Sequence, residues 1–277
     1  MTSSLAVTAI QMVSSPDVAD NLARAGALIE RAAGEGAELV ALPEYFCLMG
    51  QRDHDKLAVA EAFGDGPIQA ALAGWAARHR IWLVGGTLPL RIAGDPSHAS
   101  NTCLAHAPDG SLAARYDKIH LFRYDDGERR YDEAATLCAG SQPVAFEVTA
   151  RDGGRYRVGL STCYDLRFPE LYRALMTPEP CDLFVMGAAF TWPTGQAHWE
   201  VLLRARAIEN QCHVLASAQG GTHPNGRRTW GHSLSIDPWG IVQGVLAEGE
   251  GLVHGRVDRA RQAEVRRQLP ALSHRVM

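Results

Sequence analysis

The segment Arg157-Val-Gly-Leu-Ser-Thr-Cys163-Tyr-Asp-Leu-Arg-Phe-Pro-Glu170 closes an apolar run on a cysteine. Val158 to Thr162 reads as a buried strand, and Pro169 stands where a helix would begin. Cys163 is therefore expected at the mouth of a strand-to-helix turn. A thiol there can be held as thiolate and reached by a substrate. Alone, a buried cysteine is more often an inert core thiol. Two other segments repeat the pattern. Leu39-Val-Ala-Leu-Pro-Glu44 is an apolar strand ending on a carboxylate, and Leu112-Ala-Ala-Arg-Tyr-Asp-Lys118 is a strand ending on a lysine. By itself each would read as a solvated surface charge. Together they supply a base, a cation and a nucleophile, each just past a strand's end, that could meet at one sheet edge.

Other chemistries find less support. None of the eleven histidines stands three or four residues from another, and there is no H-E-x-x-H, so no metal site is expected. His120 or His232 could partner a cysteine as in papain-like enzymes, although both read more simply as structural histidines. The absence of G-x-x-x-x-G-K-[ST] and G-x-G-x-x-G removes support for a nucleotide cofactor. The net charge of −4 and the lack of a Lys/Arg run argue against nucleic acid. No apolar stretch is long enough to span a membrane, and no secretory signal is evident. Six scattered cysteines without a C-x-x-C pair read as reduced thiols of a cytoplasmic protein.

The elements that must position these groups alternate between strand and helix. Leu5 to Met12 is a strand, and Asp20 is a candidate cap for a helix over residues 21–33, stopped by Gly34. Strands follow at 37–42 and 81–87, with helical segments before Gly64 and a helix from Pro67 to about His79. Arg91 to Ser100 reads as a loop, then two strands flank Pro108-Asp-Gly110. Residues 122–139 look irregular and charged. After Cys163 come a helix from Pro169, a strand over 182–187, a helix from about Gln196 to Asn210, and a strand over 213–218. A hairpin turns at Asp237-Pro-Trp-Gly240, and Asp258 caps a last helix after the strand at 251–257. Helices mixed with hairpins imply layered α/β with mixed sheets. No linker divides the chain, so residues 1–277 read as one domain.

These residues together resemble the nitrilase superfamily of carbon–nitrogen hydrolases over nearly the whole chain. The marks are Leu42-Pro-Glu44-Tyr45, Tyr116-Asp-Lys118-Ile-His-Leu-Phe122, Thr162-Cys-Tyr-Asp-Leu-Arg-Phe-Pro-Glu170, Ala197-His-Trp-Glu200 and Trp230-Gly-His-Ser233 with Asp237-Pro-Trp-Gly240. The resemblance implies a four-layer α-β-β-α sandwich, assembly into homodimers or larger homo-oligomers, and no metal or organic cofactor. It implies a Glu-Lys-Cys triad of Glu44, Lys118 and Cys163. A second glutamate is matched best by Glu133, with Glu128 as the fallback.

Within the superfamily, Cys163-Tyr-Asp-x-Arg-Phe and the run Thr194 to Glu209 look like amidases acting on deaminated amino-acid derivatives. Deaminated glutathione is the first substrate so implied. The ω-amides 2-oxoglutaramate and 2-oxosuccinamate come second, and N-carbamoyl compounds are a further alternative. The implied chemistry is attack of Cys163 on the amide carbonyl with Glu44 as base, then hydrolysis of a thioester. Lys118 and the Tyr164 backbone N–H are the expected oxyanion donors. Tyr45, Phe190, Thr191 and Thr194 are expected pocket walls. Arg167 could meet a substrate carboxylate or simply pair with Glu170. The prolines in Met176-Thr-Pro-Glu-Pro-Cys-Asp182 are expected to shorten the preceding helix, and the loop 123–130 has no pattern that assigns it a role.

Overall fold

Neighbouring residues of the strand Leu39–Ala41 (β2) and the turn after it serve two different cores. Leu39 and Ala41 join one apolar cluster, while Val40 and Leu42 join another. A strand buried on both faces reads as a continuous apolar run, and that is why this segment has no polar alternation. The computed structural model describes residues 4–276 except 126, 128 and 129.

The first sheet runs in the order β18 (Gly251–Asp258), β1 (Ser4–Gln11), β2, β3 (Trp82–Val84), β5 (Asp95–His106), β4 (Leu88–Ile92). The strands β6 (Leu112–Asp117) and β9 (Leu137–Cys138) also pair with β5. β1, β2 and β3 are parallel. The outer face is covered by α1 (Val18–Gly34) and α3 (Pro67–His79), whose Ala25, Ile29, Ile68 and Leu72 meet Val40, Leu83 and Leu104.

The second sheet has the order β10 (Ala145–Thr149), β11 (Arg155–Thr162), β12 (Leu183–Ala188), β13 (His213–Ala218), β16 (Ser233–Ile236), β17 (Val242–Leu246). Its helices are α4 (Pro169–Leu175) and α5 (Trp192–Asn210). Tyr172 of α4 sits edge-on to Phe184 at 5.1 Å and donates to Ser161. Residues of both sheets share the large central cluster, Leu5, Val7 and Ala105 from one and Val158, Leu160 and Val185 from the other. The result is an α-β-β-α sandwich. A short helix α2 (Asp55–Ala58), the terminal helix α6 (Arg259–Gln268) and two ribbons complete it. The ribbons are β7 (Arg123–Asp125) with β8 (Arg130–Asp132), and β14 (Gly220–Thr222) with β15 (Arg228–Trp230).

The structure corrects several sequence expectations. Asp17, not Asp20, caps α1: its backbone is extended, and its side chain accepts the Asp20 N–H at 3.0 Å. Asp20 lies inside the first turn and takes the Ser15 hydroxyl instead. Residues 91–100 are mostly the arms of the β4–β5 hairpin. Residues 122–139 hold the β7–β8 ribbon, a 3₁₀ turn at Glu133–Ala135 and β9. Between Gly50 and Gly64 the helical structure is the single-turn α2, and α5 begins at Trp192, ahead of Gln196, because Pro193 suits a first helical turn. α4 does end at Leu175, ahead of both prolines. Glu128 lies outside the described residues.

Candidate active site

Three strand ends carry the chemistry. Glu44 follows β2 through Leu42-Pro43, Lys118 directly follows β6, and Cys163 directly follows β11. All three side chains are buried. Gly86 lets the β2 end fit: a Cβ there would lie 2.1 Å from the Pro43 carbonyl oxygen, and its φ is +57°. Cys163 opens a 3₁₀ turn over Cys163–Arg167 and takes a φ of 46°. A left-handed non-glycine residue costs about 1–3 kcal/mol and persists only where its surroundings impose it. Here Asp165 does so. Its fully buried carboxylate accepts from Thr162 N at 2.8 Å, His120 N at 3.1 Å and Tyr116 OH at 2.6 Å. The nucleophile turn is thereby tied to β6 and the segment after it.

Lys118 Nζ lies 2.9 Å from Glu44 Oε1 and 3.0 and 2.7 Å from the two oxygens of Glu133. Each carboxylate has further donors. Glu44 accepts from Asn101 Nδ2 and from Ala189 N, each at 3.0 Å. Glu133 accepts from Tyr45 OH at 2.8 Å and Phe122 N at 2.7 Å. Burial works against the charge on Lys118, yet Glu133 and Glu44 outweigh it and hold the ammonium well above its ordinary range. Burial opposes ionisation of Glu133 too, but the Lys118 charge and hydrogen bond keep it below the usual carboxylate value. Burial pushes the Cys163 thiol well up, and the Glu44 charge adds to this, against Lys118 and the Ala189 N–H. These surroundings favour the thiol over the thiolate. The thiol needs a base when it attacks, and Glu44 borders the same cavity.

That cavity is narrow, about 20 Å³, and its lining includes Glu44, Glu133, Cys163, Tyr164, Phe190, Arg167, Thr191 and Thr194. An outer groove of about 710 Å³ adjoins it and shares Thr191 and Arg227. A slender acyl chain suits the first space, and anything bulkier has to lie in the second.

Residues 6–267 match the carbon–nitrogen hydrolase family model. The chain belongs to the carbon–nitrogen hydrolases, enzymes of the nitrilase superfamily that cleave amide-type bonds. It is 42% identical over 270 residues to a deaminated glutathione amidase of Synechocystis, covering 97% of each chain. It is 36% identical over 263 residues to the human omega-amidase NIT2, covering 94% of this chain and 91% of that one. The crystal structure of the Caenorhabditis elegans NitFhit protein superposes with a TM-score of 0.89 at 37% identity. That match covers 99% of this chain and 66% of the worm chain.

In this carbon–nitrogen hydrolase the sequence-derived set comes together: Glu44, Glu133 and Cys163 line one cavity, and buried Lys118 bonds both carboxylates without lining it. Tyr164, Phe190, Thr191, Thr194 and Arg167 line it as well, whereas Tyr45 faces the neighbouring chamber with Lys56 and Met49. Arg167 does not pair with Glu170. Its Nη1 donates to His198 Nδ1 at 3.1 Å, and its guanidinium lies over the rings of Phe190 and Tyr164. The two candidate histidine partners are engaged elsewhere. His120 bonds Asp165 at 2.7 Å and stacks on Phe168, and His232 stacks on Trp230.

Sequence reasoning missed four contributors. Asp165 had a visible signal, the Thr162-x-x-Asp165 capping box. Asn101, the Ala189 N–H and Arg227 had none, since each reaches the site from a distant element. Among the described residues, Asp95, His98 and Cys138 bring ligand-type atoms within 4.8 Å of one another. None of the three lines the Cys163 cavity.

Proposed function

We propose that this hydrolase cleaves the amide of deaminated glutathione through a thioester on Cys163, releasing 2-oxoglutarate and the cysteinylglycine amine. The observation that carries this reading is a buried Glu44–Lys118–Glu133 network beside Cys163, with the Arg167 guanidinium on the same cavity and no carboxylate partner for it among the described residues. The similarity to the Synechocystis amidase supports the substrate.

The steps follow from the charges. Glu44 takes the Cys163 proton as sulfur attacks the carbonyl carbon. Neutralising Glu44 weakens its hold on Lys118, and one ammonium N–H turns to the oxygen that is becoming negative. The Tyr164 backbone N–H is the second donor. One such donor contributes about 3–4 kcal/mol to lowering the barrier. Glu44 gives the proton to the departing amine, the C–N bond breaks, and the thioester remains. Glu44 then takes a proton from water, whose oxygen attacks the thioester, and sulfur leaves with that proton. Glu133 stays ionised throughout and holds Lys118 charged.

Arg167 is assigned to the carboxylate of the 2-oxo acid. Arg167→Gln is expected to lower kcat/KM about 10–100-fold on every 2-oxo acid amide, the worth of one charge-assisted hydrogen bond. Steady-state 2-oxoglutarate release checks it, and an unchanged kcat/KM would remove Arg167 from the site. The same assay decides between substrates. Wild-type enzyme is expected to prefer deaminated glutathione over 2-oxoglutaramate. The reverse preference would make the enzyme an ω-amidase, the reading favoured by the human relative.

We further propose a homodimer working in the cytoplasm. Val201 and Ile208 lie two turns apart on α5, and the Asp237–Gly240 turn, with Trp239 and Ile241, packs beside Ile208. All four are at least 47% exposed around the half-exposed Arg204, a largely apolar face that favours a second copy. The wild-type protein is expected to elute at twice its 30.0 kDa mass and Ile241→Asp to elute as monomer. A wild-type monomer would overturn this. All six cysteines are unpaired, five of them buried, which suits a reducing compartment. No helix is long and apolar enough to cross a membrane among the described residues.

A further inference from the structure

Arg227 sits at the junction of the spaces around the site. It lines the Cys163 cavity, the adjoining Tyr45 chamber and the outer groove. The ribbon tip that carries it is fixed. Arg227 N donates to Asn225 Oδ1 at 2.9 Å, and its carbonyl accepts from His223 N at 2.8 Å. Asn225 in turn donates to the Gly50 carbonyl at 2.7 Å, and buried His223 bridges Ser14 and Thr229. The side chain is held by soft contacts only: Nη1 is 3.9 Å from Met49 Sδ, and the guanidinium lies 5.5 Å from the Tyr131 ring centre. Its Nε is shut off from solvent without an acceptor, and no carboxylate pairs with the guanidinium among the described residues. The next residue shows the contrast. Arg228 pairs with Glu248 at 3.0 Å and covers the Trp192 face. A half-buried guanidinium with unused donors, held by a fixed loop, is prepared for an anion.

The reaction places that anion. The acyl group stays bonded to Cys163 after the C–N bond breaks, so it must occupy the narrow cavity, where Arg167 stands. The leaving amine has to depart through the wider groove, past Arg227. We propose that Arg227 binds the carboxylate of the leaving group, so that the enzyme is built for amides whose amine portion is itself a small carboxylated peptide. This rests on the thioester reading above and deepens it. In deaminated glutathione the amine portion is a dipeptide, and two extended residues reach roughly 7 Å. That span carries a C-terminal carboxylate out of the cavity toward the groove. An amide that releases ammonia has nothing to offer Arg227.

The test compares two substrates with the same acyl group. The ratio of kcat/KM on deaminated glutathione to kcat/KM on 2-oxoglutaramate is expected to fall about 10–100-fold in Arg227→Met, with partial recovery in Arg227→Lys. Should Arg227→Met fold poorly, deaminated glutathione with its C-terminal carboxylate amidated gives the same reading on the wild-type enzyme, through an equal drop in the ratio. A ratio within about twofold of wild type in both experiments would overturn the assignment. Equal losses on both substrates would make Arg227 a structural residue of the ribbon. Wild-type enzyme that cleaves neither substrate would instead overturn the thioester reading itself, and this inference with it.

Discussion

Cys163→Ala is expected to lower amide hydrolysis by about 10⁴-fold or more, the scale set by removing a nucleophile from an otherwise intact site. The substitution removes the only atom that can carry the acyl group, while the groups around it keep their partners. Glu44 remains bonded to Lys118, Asn101 and Ala189 N, and Asp165 still braces the turn. Folding should survive. Alanine keeps the left-handed strain that cysteine bears at φ 46° and leaves only a small void. Melting temperature and turnover measured together check this. A folded Cys163→Ala protein with wild-type turnover would remove Cys163 from the mechanism.

Lys118→Met is expected to abolish activity and to destabilise the protein by about 3–5 kcal/mol, because it strands buried carboxylates without their cation. In the wild type the ion network has two pH limits. Glu133 has a depressed pKa, so its contribution is present above the unfolded carboxylate value and is lost as pH falls through the folded one. Lys118 has a raised pKa, so its contribution is present below the unfolded lysine value and is lost as pH rises through the folded one. The network therefore contributes fully between about pH 4.3 and pH 10.4. In Lys118→Met the lower limit reverses. Glu133, buried with no cation, gains from a proton, so acidification from neutral pH toward 5 should raise stability relative to wild type. Chemical denaturation at several pH values reads both effects. A variant as stable as the wild type at neutral pH would show that the network carries no such stability.

The parts of this site that were legible in the sequence share one physical feature. Glu44, Lys118 and Cys163 each stand just past a strand's end; before Glu44 and Cys163 that strand is a buried apolar run, visible without neighbours, while β6 before Lys118 is mostly half-exposed. The expectations that failed lacked that pattern. Residues 91–100 looked like a loop because Pro96 and small polar residues crowd the hairpin. Yet β4 is an edge strand, where Pro89 needs no ladder N–H. The strands of the β7–β8 ribbon are three residues each, Arg-Tyr-Asp, too short and too charged for their alternation to stand out. At α1 two aspartates stand three residues apart, and backbone geometry at Asp17 decides which one caps. Asn101 reaches Glu44 across 57 residues and Ala189 across 145, separations that no local pattern encodes. Arg227 was invisible for the same reason, since it comes to the cavity from the β14–β15 ribbon, far along the chain from Cys163.

The central claim is a thioester common to all substrates, and partition of that thioester tests it most directly. Deaminated glutathione and 2-oxoglutaramate would be hydrolysed in the presence of hydroxylamine, and the ratio of hydroxamate to 2-oxoglutarate measured for each. The same acyl-enzyme must give the same ratio whichever amine has left, with no hydroxamate from Cys163→Ala. A ratio that changes with the leaving group would mean that no common acyl-enzyme forms, and the account would be wrong.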